Sequence, residues 1–148
     1  MPVHGRRSLA ALATADKQLQ IVFEEAIRIF DHSILFGHRT KDEQFGLYQQ
    51  GRQLVNGIWT VVDPSSVVTK VDGITRLSMH NHYPSRAVDA VPYPIDWGDR
   101  ERAVYFAGMV MGIAHVKGVG LRWGGDWDQD TEVRDENFRD WYHFELIE

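Results

Sequence analysis

The sequence predicts an α+β domain: a small antiparallel sheet with about three helices packed around it. Three observations lead there. Apolar residues recur at helical spacing in two stretches, 16–30 and 99–116. Short apolar or alternating runs, at 33–36, 87–91 and 142–147, fall between and after them. The resulting order of helix, strand, helix, strands, helix, strands suits an antiparallel sheet with helices against it.

Each element has its own signal. Asp16 can cap a helix whose stripe is Leu19, Val22, Phe23, Ala26, Ile27 and Phe30. Ser33-Ile34-Leu35-Phe36 reads as a buried strand stopped by Gly37, and Thr40 caps a second helix, Lys41 to about Gln50, closed by Gly51. From Arg52 to Leu77 the pattern weakens into a long surface excursion, with turns at Asn56-Gly57 and Asp63-Pro64 and a short strand at Val67-Val68-Thr69. Ala87 to Val91 alternates like a strand and is ended by Pro92 and Pro94. The third helix, Asp99 to Val116, carries Ala103, Phe106, Ala107, Val110, Met111 and Ala114 on one stripe. Met109 and Ile113 widen that stripe, so this helix is expected to be the most buried. Leu121-Arg122-Trp123 and Tyr142 to Ile147 read as the last strands, around the irregular loop Gly124 to Arg139.

The 148 residues fit a single domain, 1–148, with 43% apolar and 25% charged residues, ordinary for a globular protein. A net charge of -5 argues against a generally basic nucleic-acid binder, and Arg6-Arg7 is too short a run to alter that. The absence of cysteine excludes a disulfide framework and thiolate metal ligands. No apolar run approaches the roughly 20 residues of a membrane span, and no secretory signal is read at the amino terminus. A monomer without membrane insertion is expected.

The residues that carry chemistry are His80, Asp89 and the run Asp140-Trp141-Tyr142-His143. Two imidazoles and a carboxylate make a three-ligand site for Zn²⁺ with a fourth position left for water, the pattern of a catalytic ion. Asp89 lies in a predicted strand and His143 opens another, so the two can share a face if those strands are neighbours. Asp140, three residues before His143, is placed to carry a proton for that water. Arg39 has the planar fork that suits a carboxylate or an oxyanion. Ser78 can hold substrate, orient a ligand or cap its loop. His4, His32, His38 and His115 have no partner pattern, and the acidic run 126–136 reads as a solvated loop because it lacks EF-hand spacing. Trp123, Trp127, Trp141 and Tyr142 flank the site in sequence, as core or as groove.

The run Ser78-Met79-His80-Asn81, then Ala87-Val88-Asp89, then Asp140-x-x-His143-Phe144-Glu145, resembles the VanY-like zinc peptidases. That family contains D-alanyl-D-alanine carboxypeptidases and the L-alanyl-D-glutamate endopeptidases that bacteriophages use as endolysins. Gly37-His38-Arg39-Thr40, Gln44, Leu47-Tyr48 and Trp123-Gly124-Gly125-Asp126-Trp127 extend the likeness over residues 10 to 147. It implies a hedgehog/D-Ala-D-Ala-peptidase-like fold. It further implies a zinc held by His80, Asp89 and His143, Asp140 as general base and acid, and Arg39 and Ser78 toward substrate. The implied partner is the peptide stem of bacterial peptidoglycan. The implied setting is the host cytoplasm until release, then the cell wall.

One spacing departs from the family. Its first ligand His and its Asp stand seven residues apart, whereas His80 and Asp89 stand nine apart; His82 would restore seven. The Ser-x-His start of the motif favours His80, and an added pair of residues preserves strand alternation. A D,D-carboxypeptidase is the enzymatic rival. A wall-binding module that keeps zinc only for stability is the rival of another class.

Overall fold

The computed structural model describes residues 1–147. Its elements are α1 (Arg6–Leu12), α2 (Lys17–Ala26), β1 (His32–Phe36), α3 (Lys41–Gln49), β2 (Arg52–Val55), β3 (Ile58–Val61), β4 (Ala87–Pro92), α4 (Arg100–Val116), β5 (Leu121–Trp123) and β6 (His143–Leu146). Short 3-10 turns stand at Pro64–Ser66 and Met79–Asn81. Four strands form one antiparallel sheet in the order β1-β4-β6-β5, and β2 and β3 form a separate hairpin. The expected α+β architecture is therefore present.

Local chemistry accounts for the helix starts. The Asp16 carboxylate accepts from the Gln18 amide at 2.9 Å. Thr40 and Glu43 close a reciprocal capping box, with bonds of 3.1 and 2.9 Å. The hairpin turns at Asn56-Gly57, whose φ angles of 50° and 78° match the turn that two-residue hairpin loops prefer.

Alternation divides the sheet. Val88, Ala90, Phe144, Leu146, Leu121 and Trp123 join α2 and α4 in the hydrophobic core. Phe144 is fully buried and meets Phe23 at 5.5 Å and Phe106 at 6.0 Å between ring centroids. The opposite face carries Asp89, His143, Glu145 and Arg122.

Several expectations need correction. Val67–Thr69 forms no strand: it takes no regular secondary structure. A helix stands at Arg6–Leu12 where no element was expected. Its Ser8 hydroxyl accepts the Ile34 amide of edge strand β1 at 3.0 Å, satisfying a buried donor that sequence periodicity does not register. The first apolar stripe outruns its helix: α2 stops at Ala26, while Phe30 packs on Phe106 from the following turn at 5.2 Å. Nor is α4 the most buried helix. Five of its 17 residues are buried, against four of ten in α2, and Val104, Tyr105 and Val116 face outward. The sheet covers only one side of α4.

His32 ends up in this core. Its Nδ1–H donates to the Phe30 carbonyl at 2.8 Å, its ring packs on Phe106 at 4.9 Å, and Nε2 is buried without a partner. Burial pushes its pKa down from 6.5 to about 4. Between those values the unfolded chain takes up a proton that the folded chain refuses. The contribution of His32 to stability is expected to fall as pH drops below about 6.5 and to level off near 4, by up to about 3 kcal/mol. Urea unfolding at stepped pH checks this: His32→Gln should flatten the slope by about one proton, and identical slopes would refute the assignment.

Candidate active site

Three segments meet above the polar face of the sheet. The pairing of β4 with β6 sets Asp89 directly opposite His143. The neighbouring Ala90 amide donates to the Tyr142 carbonyl at 2.8 Å, so Asp89 and His143 are a non-hydrogen-bonded pair, the kind whose side chains approach most closely. His80 arrives from the 3-10 turn. There the Ser78 hydroxyl accepts the His80 amide at 3.3 Å, and Asn81 Oδ1 accepts the Ser78 amide at 2.8 Å. Asn81 Nδ2 also donates to the Arg39 carbonyl at 2.9 Å, tying the turn to the segment after β1.

The resulting contacts are specific. His80 Nε2 and His143 Nδ1 each lie 3.2 Å from the same atom, Asp89 Oδ1. Their outer nitrogens are both engaged: His80 Nδ1–H donates to the Gly37 carbonyl at 2.7 Å, and His143 Nε2–H donates to Glu145 Oε2 at 2.9 Å. A carbonyl and a carboxylate can only accept, so the neutral tautomers turn bare lone pairs inward, toward a carboxylate oxygen. Three electron-rich atoms so close are stabilised only by positive charge between them, from protons or a metal cation. The donor set fits a divalent cation: ligand atoms of His80, Asp89 and His143 lie within 4.8 Å of one another. Hydrogen-bonded outer nitrogens are the usual support of histidine ligands.

The electrostatics follow from this packing. Burial opposes ionisation of Asp89, yet hydrogen bonds and charge from His143 and His80 prevail and hold it far below the usual carboxylate range. Burial likewise opposes a charged His143, but Asp89 and Glu145 bonded to its two nitrogens raise it to about 10 in the metal-free protein. Glu145 is held low despite its burial, by His143 and by Arg122, whose Nε donates to Oε1 at 3.1 Å. Asp140 is pushed up, first by burial and then by the Asp89 charge. It sits on a tight turn into β6, where its amide donates to Gly124 at 2.7 Å and its carbonyl accepts the His143 amide at 3.2 Å.

These residues line a cavity of about 890 Å³. His80, Asp89, Asp140, His143, Arg39 and Ser78 all border it, so every site residue expected from sequence is at one place. His80, not His82, is brought to Asp89 and His143; His82 is exposed, and its carbonyl accepts from His38 at 3.0 Å. Arg39 faces Asp89 Oδ2 at 3.7 Å and donates to the buried Gln44 Oε1 at 3.1 Å. Trp127 lies 5.6 Å from the His143 ring and stacks on Phe138, so the irregular loop supplies an aromatic wall. Trp123 packs instead in the core beside Trp141. In the same loop the carboxylates of Asp126, Asp128 and Asp130 also gather, with Asp126 accepting the amides of Asp130 and Thr131.

A family model described as phage L-alanyl-D-glutamate peptidase matches residues 3–147. The chain belongs to this family. The VanY-like resemblance is thus narrowed to its phage endopeptidase branch. The L-alanyl-D-glutamate peptidase of Escherichia phage T5 is 30% identical over 157 aligned positions, covering 97% of this chain and 96% of that protein. The crystal structure of the Serratia marcescens L-Ala D-Glu endopeptidase ChiX matches with a TM-score of 0.67 at 21% identity, covering 99% of this chain and 91% of that one, a likeness of fold.

Glu145 ends the family motif and Arg122 lies in an expected strand, but neither is given a role by the sequence, although Glu145 stands two residues beyond His143 in a strand and so shares its face. Within this peptidase family fold, Glu145→Gln is expected to weaken divalent-metal affinity about 10- to 100-fold, because it removes the carboxylate that orients His143 and raises its basicity. Competition against a chromophoric chelator measures this. An unchanged affinity would leave Glu145 as no more than the partner of Arg122.

Proposed function

We propose that this protein is a zinc-dependent peptidase that hydrolyses the L-alanyl-D-glutamate amide in the peptide stem of peptidoglycan. The observation that carries the reading is the convergence of two pre-oriented imidazole nitrogens on one carboxylate oxygen, in a chain of this family. His80 Nε2, His143 Nδ1 and Asp89 would hold the ion. When bound, zinc supplies Lewis acidity: it lowers the pKa of water to about 7 and polarises a carbonyl.

The chain's own residues do the rest. Asp140 takes a proton from the attacking water as the new C–O bond forms. It returns that proton to the leaving amine as the C–N bond breaks. Its upward-shifted pKa suits both halves of that task, since a shuttle works best when its affinity for protons lies near the working pH. Arg39, already against Asp89, adds positive charge beside the reacting carbonyl oxygen. Ser78 uses its oxygen to accept the His80 amide, which leaves its hydroxyl hydrogen for a substrate carbonyl. The stacked Trp127 and Phe138 form an aromatic wall against which the peptide stem can lie.

The mechanism asks for no residue of a second copy, and we propose that the protein acts as a monomer. No helix among the described residues is long and apolar enough to cross a membrane. We place the protein in the host cytoplasm until its release to the cell wall late in infection.

Mass spectrometry of digested muropeptides tests the cleavage. New peptides beginning with D-glutamate are expected, with a zinc requirement that a chelator reveals. Loss of one terminal alanine would instead mark a D,D-carboxypeptidase. Intact peptides together with retained wall binding would mark a non-catalytic module.

A further inference from the structure

The long excursion between the hairpin and His80 forms one wall of the cavity, and it presents two cations there. Lys70 and Arg76 both border the cavity, and neither forms an ion pair among the described residues. The other two cations of the cavity are occupied, Arg39 by Asp89 and Arg122 by Glu145. Two uncommitted positive charges on one wall, in a chain of net charge -5, complement an anion.

The backbone beneath them is stiff. Arg52 Nη1 donates to the Thr69 carbonyl at 3.0 Å, and the buried Gln44 Nε2 donates to the Val71 carbonyl at 2.8 Å, so Lys70 is clamped from both sides. Before Arg76, the Asp72 carboxylate accepts the amides of Ile74, Thr75 and Arg76 at 2.8, 2.8 and 3.1 Å. Gly73, at φ +77°, lies so close to Gln44 that a Cβ would stand 2.9 Å from its side chain. Gln44 thus braces this wall and the Arg39 guanidinium together. Charges on a braced loop lose little freedom when they meet a ligand.

The cleavage proposed above leaves a glutamyl residue on the amine side of the broken bond. A glutamyl residue has two carboxyl groups and needs only one to continue the chain, so the second is free beside the scissile amide. We propose that Lys70 and Arg76 form the subsite for that free carboxylate and make the enzyme selective for acidic over amidated stem peptides. The inference rests on the peptidase reading.

The test compares two synthetic stem peptides on the zinc-loaded protein, one carrying D-glutamate and the other D-isoglutamine, whose corresponding carboxyl is a neutral amide. The acidic peptide is expected to have the higher kcat/KM by about tenfold or more, chiefly through KM, with the preference shrinking as salt rises. The Lys70→Gln, Arg76→Gln double variant should bring the ratio near one. Arg76→Glu should invert it. Both positions are exposed, and a circular dichroism melt confirms folding. Cleavage of both peptides at an acid-to-amide ratio equal to wild type in these variants would overturn the subsite alone. Failure of the wild type to cut either peptide would overturn the peptidase reading, and the subsite with it.

Discussion

Asp140→Asn is expected to lower kcat by two to four orders of magnitude while the protein still binds one equivalent of zinc. That loss corresponds to about 3 to 5 kcal/mol of barrier, the usual contribution of a positioned proton carrier. The asparagine keeps the shape of the turn, whose hydrogen bonds use the Asp140 backbone, so folding and the approach of His143 are retained. It cannot accept and return a proton. Isothermal titration with zinc, beside the rate of stem-peptide cleavage, separates the two consequences. Wild-type turnover in Asp140→Asn would remove Asp140 from the mechanism. Lost zinc binding would make it a structural or ligating group instead.

His80→Ala and His82→Ala, made side by side, are expected to differ as sharply as any two neighbouring substitutions in this chain. His80→Ala deletes a nitrogen that lies 3.2 Å from Asp89 and is aimed there by the Gly37 carbonyl. Tight zinc binding and activity should both disappear. His82→Ala removes an exposed ring whose backbone carbonyl alone is used, by His38, so metal content and turnover should stay close to wild type. Metal analysis after dialysis decides it. Zinc retained by His80→Ala and lost from His82→Ala would reverse the assignment and restore the seven-residue spacing of the family.

Much of this was legible in the chain because the relevant signals are local. The caps at Asp16 and Thr40, the helical stripes and the alternation around Asp89 each depend on residues a few positions apart. Helix α1 was not legible, since what holds it is a hydroxyl meeting the amide of Ile34, 26 residues away. The strand expected at Val67–Thr69 failed for a related reason. Its apolar, β-branched residues look like a strand, but Gln44 and Arg52 take the neighbouring carbonyls, leaving no ladder to join.

The site divides in the same way. His80, Asp89, Asp140 and His143 could be named because each stands in a motif of short span. Glu145 and Arg122 could not be assigned a role, because that role exists only when β5 lies beside β6. The same holds for Lys70 and Arg76, which read as ordinary surface cations until the excursion folds up as one wall of the cavity.

Residue types and their spacing were enough for the fold class, for the groups able to bind a divalent ion, and for the carboxylate three residues before the last histidine. Which histidine meets Asp89, which nitrogens point inward, and which cations remain without a partner emerged with the folded chain. Residue chemistry and periodicity are properties of neighbours along the chain. Strand register and hydrogen bonds between distant segments set where a lone pair or an unpaired charge finally points.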